Sequence, residues 1–304
     1  MAELNGLLVT NRFIANNERF ISQNFRYRNS ARNKGILLDE CFNDELLVSV
    51  DLSGIKISLE KKYDFAIFLD KDLRLAQALE KLGVRLFNNS HTIEICDDKS
   101  LTAMYLAGSG IEMPQTIISP KTFDNVGYNS TEFLCDVIFK LGFPIVVKES
   151  VGSFGEGVFL AKNKDELEKI TSNCNKHLIF QKFIAESQGR DIRINIVGGK
   201  VAASILRTNQ DDFRANFGVE SKSEMYIPNE AEVNMALKVC KLMKVDFAGV
   251  DILLGKNGPV FCEINSNPHI EKTFSATGVD VSIKILEHIQ NSFDISLTFH
   301  SEKL

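Results

Sequence analysis

The sequence predicts an α/β unit followed by α+β lobes, on three observations. Residues 6–95 alternate short apolar runs with amphipathic stretches, the pattern of helices around a largely parallel sheet. From 96 onward, strands and helices follow in mixed order about glycine-rich turns. Near the end, Gly249–Asn267 reads as a β-hairpin with acids on both arms.

In the first unit, strands are expected at Gly6–Thr10, Gly35–Leu38, Phe65–Leu69 and Val84–Phe87, and helices at 15–33 and Asp72–Leu82. No GxGxxG turn follows a strand, which argues against a dinucleotide cofactor there. The second unit opens with a helix at Asp98–Ala107 and continues with a helix at Thr131–Leu141. Strands follow at Phe143–Glu149, Val158–Ala161 and Leu178–Ile184, with a helix capped by Asn163 between the last two. The third holds strands at Asp191–Val197, Lys200–Arg207 and Phe247–Leu254, helices at 230–243 and 281–291, and the hairpin.

At 304 residues, 44% hydrophobic and 25% charged, the chain has an ordinary globular composition, long enough for two or three cores. A net charge of −5 gives no electrostatic reason to expect nucleic acid or an anionic membrane as partner. The basic stretch from Arg12 to Lys34 reads as a solvated helix face, with a surface for an acidic substrate as the lesser alternative. The six cysteines show no CxxC or zinc spacing and read as reduced, buried thiols. No apolar run approaches the ~18–20 residues that span a bilayer, and no charged leader precedes an apolar stretch. The cytoplasm is the expected compartment.

Three segments carry chemistry. Asn257-Gly258 is a strong hairpin turn that sets Asp251 opposite Glu263, and Asn265, two residues on, shares the face of Glu263. Cross-strand acids repel unless something positive lies near, and this all-oxygen set suits Mg2+, with Mn2+ as the alternative cation. A solvated hairpin face is the other reading. Lys148 ends an apolar strand before Ser150–Gly157, where Gly152, Gly155 and Gly157 let backbone N–H groups turn towards an anion. Plain turn chemistry explains the same glycines, and no Walker Gly-Lys-Ser/Thr occurs. Gln181–Glu186 crosses from one lobe to the next, where backbone groups can meet an adenine edge and Asp191 can meet ribose hydroxyls. Arg193, Arg207 and Arg214 are either edge decoration or phosphate-holding forks.

Read in order, these segments resemble the ATP-grasp superfamily, most closely its RimK-like carboxylate–amine (glutamate) ligases. The residues that carry the resemblance are Cys96–Lys99, Ile111–Thr116, Phe143–Lys148, Gly152–Gly157, Gln181–Glu186, Gly189–Arg193, Phe213–Asn216, Gly249–Asp251 and Glu263–Asn265. It covers roughly 95–295, and residues before it are similar to the α/β domain that precedes this fold. The resemblance implies a pre-ATP-grasp domain at 1–95, a small lobe at 96–184 and a C-terminal lobe at 185–304. It implies ATP contacted by Lys99, Lys148, Gly152, Ser153, Gly155 and Gly157. Gln181, Lys182, Phe183 and Ile184 would form the adenine hinge, and Asp191 would lie near the ribose. Asp251, Glu263 and Asn265 would hold the metal, and Arg207, Arg214 and Asn216 would face the reacting centre. The implied reaction is ATP-dependent amide formation through an acylphosphate, on a small amino acid, a peptide or a protein tail, in a chain that forms a homo-oligomer. A non-catalytic ATP-binding regulator and a phosphotransferase stay open as alternatives. Two departures affect the acceptor: Phe217-Gly218 stands where an Arg-Gly-Gly stretch is usual, and Asn265-Ser-Asn-Pro-His269 where Asn-x-x-Pro-Gly is usual.

Overall fold

The computed structural model describes residues 4–152, 155–218 and 221–301, with side chains through 294. The first unit comprises β1 (Asn5–Thr10), α1 (Glu18–Asn33), β2 (Leu37–Phe42), the hairpin β3 (Ser49–Asp51) and β4 (Gly54–Lys56), β5 (Phe65–Phe68), α2 (Leu73–Lys81) and β6 (Arg85–Phe87). Its sheet runs β2-β1-β5-β6, parallel at every pairing. Buried on both faces, β5 is apolar throughout, as a central parallel strand requires. Local signals set the ends. Asn17 accepts from the Arg19 N–H, so α1 begins at Glu18 rather than 15, and Asp72 caps α2 through the Arg74 and Leu75 N–H groups. The strand expected at 35–38 shifts to Leu37–Phe42, because Gly35, at φ +67°, belongs to the turn after α1.

Next come α3 (Ser90–Asp97), unforeseen from the sequence, α4 (Lys99–Leu106), β7 (Thr116–Ile118), α5 (Leu134–Leu141), β8 (Ile145–Glu149), β9 (Val158–Ala161), α6 (Lys164–Ser172) and β10 (Leu178–Lys182). The sheet β7-β10-β8-β9 is antiparallel and packs on α5 and α6. The last strands and helices are β11 (Arg190–Val197), β12 (Lys200–Thr208), β13 (Lys222–Met225), α7 (Glu230–Met243), β14 (Phe247–Gly255), β15 (Gly258–Asn265), α8 (Glu271–Thr277) and α9 (Val281–Ser301). They form the five-stranded antiparallel sheet β13-β12-β11-β14-β15, whose buried face packs on α7.

The cores interlock. Ile95, Cys96 and Leu106, from α3 and α4, lie in the core of the five-stranded sheet. Val281, Ile285 and Ile289 of α9 pack with Leu8, Tyr27 and Phe65 of the first unit. Buried Asn88 donates to the carbonyls of Phe247 (2.8 Å) and Ser266 (2.7 Å) and accepts from the Asp246 N–H (2.7 Å), which pins the first sheet to the last. All six cysteines are free thiols, but only Cys96 and Cys240 are buried: Cys41, Cys174 and Cys262 are partly exposed, and Cys135 is exposed on the outer face of α5. No helix among the described residues is long and apolar enough to cross a membrane.

Candidate active site

Strand alternation gives the five-stranded sheet one polar face. Asp191 pairs with Arg207 across β11 and β12, Arg193 pairs with Asp251, and Asp251 pairs with Glu263. The acids and bases that meet there form a buried network. Arg207 donates to both oxygens of Asp191 (2.6 and 2.7 Å) and to Asp251 Oδ2 (2.7 Å). Arg193 donates to both oxygens of Asp251, at 2.7 Å each. Burial alone would raise the Asp251 pKa, but Arg193 and Arg207 outweigh it and hold the carboxyl far below the usual range. For Asp191, burial outweighs Arg207 and pushes the pKa up. Gly249 keeps the face open beside this network, since a Cβ there would meet Pro268 at 3.0 Å and Arg193 at 3.4 Å.

The pairing shifts between Asp251 and Ile252, so Asp251 faces Glu263 while Ile252 faces Phe261. Cys262 is the extra residue of this bulge, which turns its thiol into the cleft beside Glu263. Lys148, buried on β8, donates weakly to Cys262 Sγ at 3.9 Å, so the antiparallel lobe and the five-stranded sheet meet there. Burial pushes the Cys262 thiol up to about 12, which keeps it protonated at neutral pH. Nothing in the residue pattern signals this thiol, because a bulge is a property of register.

Lys99 opens α4 behind its cap Asp98, and its Nζ donates to the Gly152 carbonyl at 3.1 Å. Burial lowers its pKa, with Glu263 opposing the shift and Lys148 adding to it. The glycine loop folds back at Gly157, where φ is +68° and a Cβ would lie 2.5 Å from Glu149. Arg214 spans the loop, donating to the carbonyls of Gly155 (2.8 Å) and Val158 (3.1 Å) while both oxygens of Asp212 hold its other nitrogens (2.9 and 2.7 Å). Its guanidinium is therefore committed to bracing the loop. On the hinge, Gln181 donates to Thr116 Oγ1 (2.9 Å), the Lys182 N–H to the Gln115 carbonyl (3.0 Å), and Phe183 meets Phe213 edge-on.

Between the two sheets lies an open cleft, about 920 Å³ with the solvent at its mouth included. Val146, Phe183, Ile184 and Leu253 make one end apolar, and Lys99, Lys148, Glu263 and Asn265 make the other polar. The residues singled out from the sequence line it, save Gly157, Arg193, Arg207 and Ser153. Gly157 and Arg207 lie behind the wall, and Ser153 falls outside the described residues. A neighbouring cleft of about 660 Å³ shares Lys99, Lys148, Glu263 and Asn265 with it.

Glu263 and Asn265 stand side by side, the amide 3.4 Å from the carboxylate, and offer two hard oxygens with room for water and phosphate oxygens. Both Asp251 oxygens already accept from arginine, so it would join a metal only through a remaining lone pair. Among the described residues, no group of three or more His, Cys, Asp or Glu side chains gathers as a metal site. The donor set fits Mg2+ with few protein ligands and excludes a soft-metal cage.

The chain is similar to known proteins over most of its length. Residues 96–289 match the RimK-like ATP-grasp domain. An uncharacterized Mycoplasma pneumoniae protein, the MG012 homolog, is 30% identical over 275 residues, which span 88% of this chain and 93% of that one. The ribosomal protein bS6–L-glutamate ligase of Escherichia fergusonii is 35% identical over 215 residues, 69% of each chain. N-acetylaspartylglutamate synthase A of Homo sapiens is 34% identical over 216 residues, 70% of this chain and 54% of that one. In fold, the chain resembles the D-alanine–D-alanine ligase of Bacillus anthracis in complex with ATP, with a TM-score of 0.73 at 22% identity over 100% of both chains.

Proposed function

Because the chain belongs to the RimK-like ATP-grasp family, we propose that it is an ATP-dependent carboxylate–amine ligase that joins an amino acid, glutamate in the first instance, to an amine or peptide. The observation that carries this reading is the meeting of two lysines, Lys99 and Lys148, with Glu263 and Asn265 at the polar end of a cleft whose other end is apolar. The apolar end suits a purine, and the polar end suits a polyphosphate that must be neutralised.

In the reaction, a substrate carboxylate oxygen attacks the γ-phosphorus of ATP, the β–γ bridging bond breaks, and ADP leaves. The amine nitrogen then attacks the acyl carbon of the acylphosphate. Inorganic phosphate leaves, and the amine proton passes to solvent. Lys99 and Lys148 reduce the repulsion between carboxylate and phosphate, and Glu263 and Asn265 would hold Mg2+, which offsets phosphate charge when bound. Arg214 fixes the glycine loop over the phosphates through the Gly155 and Val158 carbonyls. Asp191 and Asp251 hold Arg207 and Arg193 in place, so the charged floor is ordered before substrate arrives.

The test is ADP and phosphate release from Mg-ATP with a panel of amino acids and amine acceptors, followed by mass spectrometry. Phosphate release that requires both partners, with a product lighter by one water than their sum, supports ligation. ADP without phosphate would indicate phosphotransfer. ATP binding without stimulated release would indicate a binding module.

A further inference from the structure

α1 turns apolar side chains towards solvent. Its inner face carries Gln23, Asn24 and Ser30 alongside Tyr27 and Ala31. Gln23 Oε1 accepts the Ile270 N–H (3.2 Å), Asn24 donates to Glu40 Oε1 (2.8 Å), and Ser30 Oγ meets Ser282 Oγ (2.8 Å). Ile21 and Phe25, one turn apart on the opposite face, are 51% and 59% exposed, and Phe13 and Ile14, just before the helix, are 82% and 42% exposed. Single exposed apolar side chains are ordinary, but a row of them on a helix that buries two amides and a hydroxyl marks an interaction surface.

The charges beside this row suit a second copy of the chain. Glu18 lies seven residues before Phe25 and Arg32 seven after it, close to two helical turns each way, so all three share one side of the helix. Both charged residues are exposed, and neither has an ion pair among the described residues. Two α1 helices packed antiparallel about a two-fold axis at Phe25 set Glu18 of each copy against the partner's Arg32. Of the other bases in the stretch from Arg12 to Lys34, Arg12 pairs with Asp44 and Glu45, Arg26 with Glu271, Arg28 with Glu40 and Lys34 with Glu287. That leaves little free positive charge for an anionic membrane, which the net charge of −5 disfavours further.

We propose that the outer face of α1 is the contact between two copies of this chain, with the helices antiparallel and crossing at Phe25. Ile21 of each copy then lies beside the axis, next to the partner's Phe25, and the two Glu18–Arg32 pairs close the ends. A parallel pairing would set Glu18 against the partner's Glu18 and Arg32 against the partner's Arg32, so the charges fix the direction as well as the contact. None of these residues lines either cleft, so the contact is independent of the ligase reading.

Analytical ultracentrifugation of the full chain tests it. A contact of one helix face warrants a micromolar dimer, so wild type should sediment as a monomer near ~0.1 μM and as a dimer near ~100 μM. Phe25→Glu, which sets two carboxylates at the axis, should weaken the dimer at least about tenfold and, at an exposed site, leave Tm close to wild type. Glu18→Arg and Arg32→Glu should each weaken it roughly five- to tenfold, since each brings like charges together twice, and the double reversal should restore it. Effects within the helix predict the opposite, because both reversals oppose the helix dipole and would add. A chain monomeric at ~100 μM, a dimer indifferent to Phe25→Glu, or a double reversal weaker than either single overturns the proposal. A monomer that instead floats with vesicles of phosphatidylglycerol and phosphatidylcholine, and ceases to in Phe25→Glu, would also overturn it and assign the face to a membrane surface.

Discussion

Replacing Arg207 with Met should be among the most damaging single changes in the C-terminal sheet. Arg207 is 3% exposed and makes three charge-assisted bonds to two carboxylates. Asp251 would keep both bonds from Arg193, but Asp191, 7% exposed, would lose its hydrogen-bonded cation and keep only the more distant Arg193. Breaking one side of a buried pair costs about 3–5 kcal/mol. At ~2.1 cal/mol/K per residue, a 304-residue unit has an unfolding entropy of ~0.64 kcal/mol/K, so Tm should fall by roughly 5–8 °C. The loss should also depend on pH. A buried acid whose folded pKa is raised binds its proton more readily in the folded state, so the penalty grows as pH rises through that pKa and shrinks as pH falls. Adding Asp191→Asn removes the stranded charge, and the double variant should recover part of the stability. Urea unfolding followed by circular dichroism at pH 5 and pH 7.5 measures all of this. An Arg207→Met protein within 1 kcal/mol of wild type, or a double variant less stable than the single, would refute the reasoning.

Glu263→Gln should abolish Mg-dependent turnover while Tm stays close to wild type, and near-normal phosphate release in that variant would remove Glu263 from the metal site. Lys148→Ala should weaken ATP binding by roughly 10- to 100-fold, the worth of one charge-assisted bond, as read by calorimetry. Gly157→Ala, at φ +68° with Glu149 2.5 Å from the new Cβ, should raise the KM for ATP and lower Tm; Lys176, 2.6 Å from that carboxylate, limits how far it can retreat. Hydrogen bonding to Arg214 holds the Asp212 pKa down, so the stability it contributes is present above the unfolded-state pKa near ~3.9 and lost as pH falls through the lower folded value. Asp212→Asn should flatten that part of the acid limb, measured as stability against pH below pH 5.

What the sequence made legible was what depends on local order. The Asn257-Gly258 turn and the period of two put Asp251 opposite Glu263, and the structure has that pairing. The cap at Asn163 begins its helix where residue chemistry places it. Register and contacts between distant strands were not legible. The bulge at Cys262 depends on how β15 meets β14, and Arg214 is tied to a loop more than fifty residues away. The helix α3 was missed because its short amphipathic pattern continues into α4, with Asp98 serving as the end of one and the cap of the next.

The case of Asp251 shows where the two kinds of information join. Two acids on facing strands need a positive charge near them, and from the residues alone a metal is the natural candidate. The structure supplies that charge on the other flank, through Arg193 and Arg207, and leaves Glu263 beside the Asn265 amide with the Lys99 and Lys148 ammoniums across the cleft. A metal between the arms would then be bound chiefly by Glu263 and Asn265, with Asp251 acting as the anchor of the arginine floor. If so, Asp251→Asn should cost stability as well as activity, because it takes the carboxylate from Arg193 and one of the three bonds from Arg207, whereas Glu263→Gln should cost activity alone. Equal Tm values for the two variants would mean that Asp251 serves the metal and not the floor.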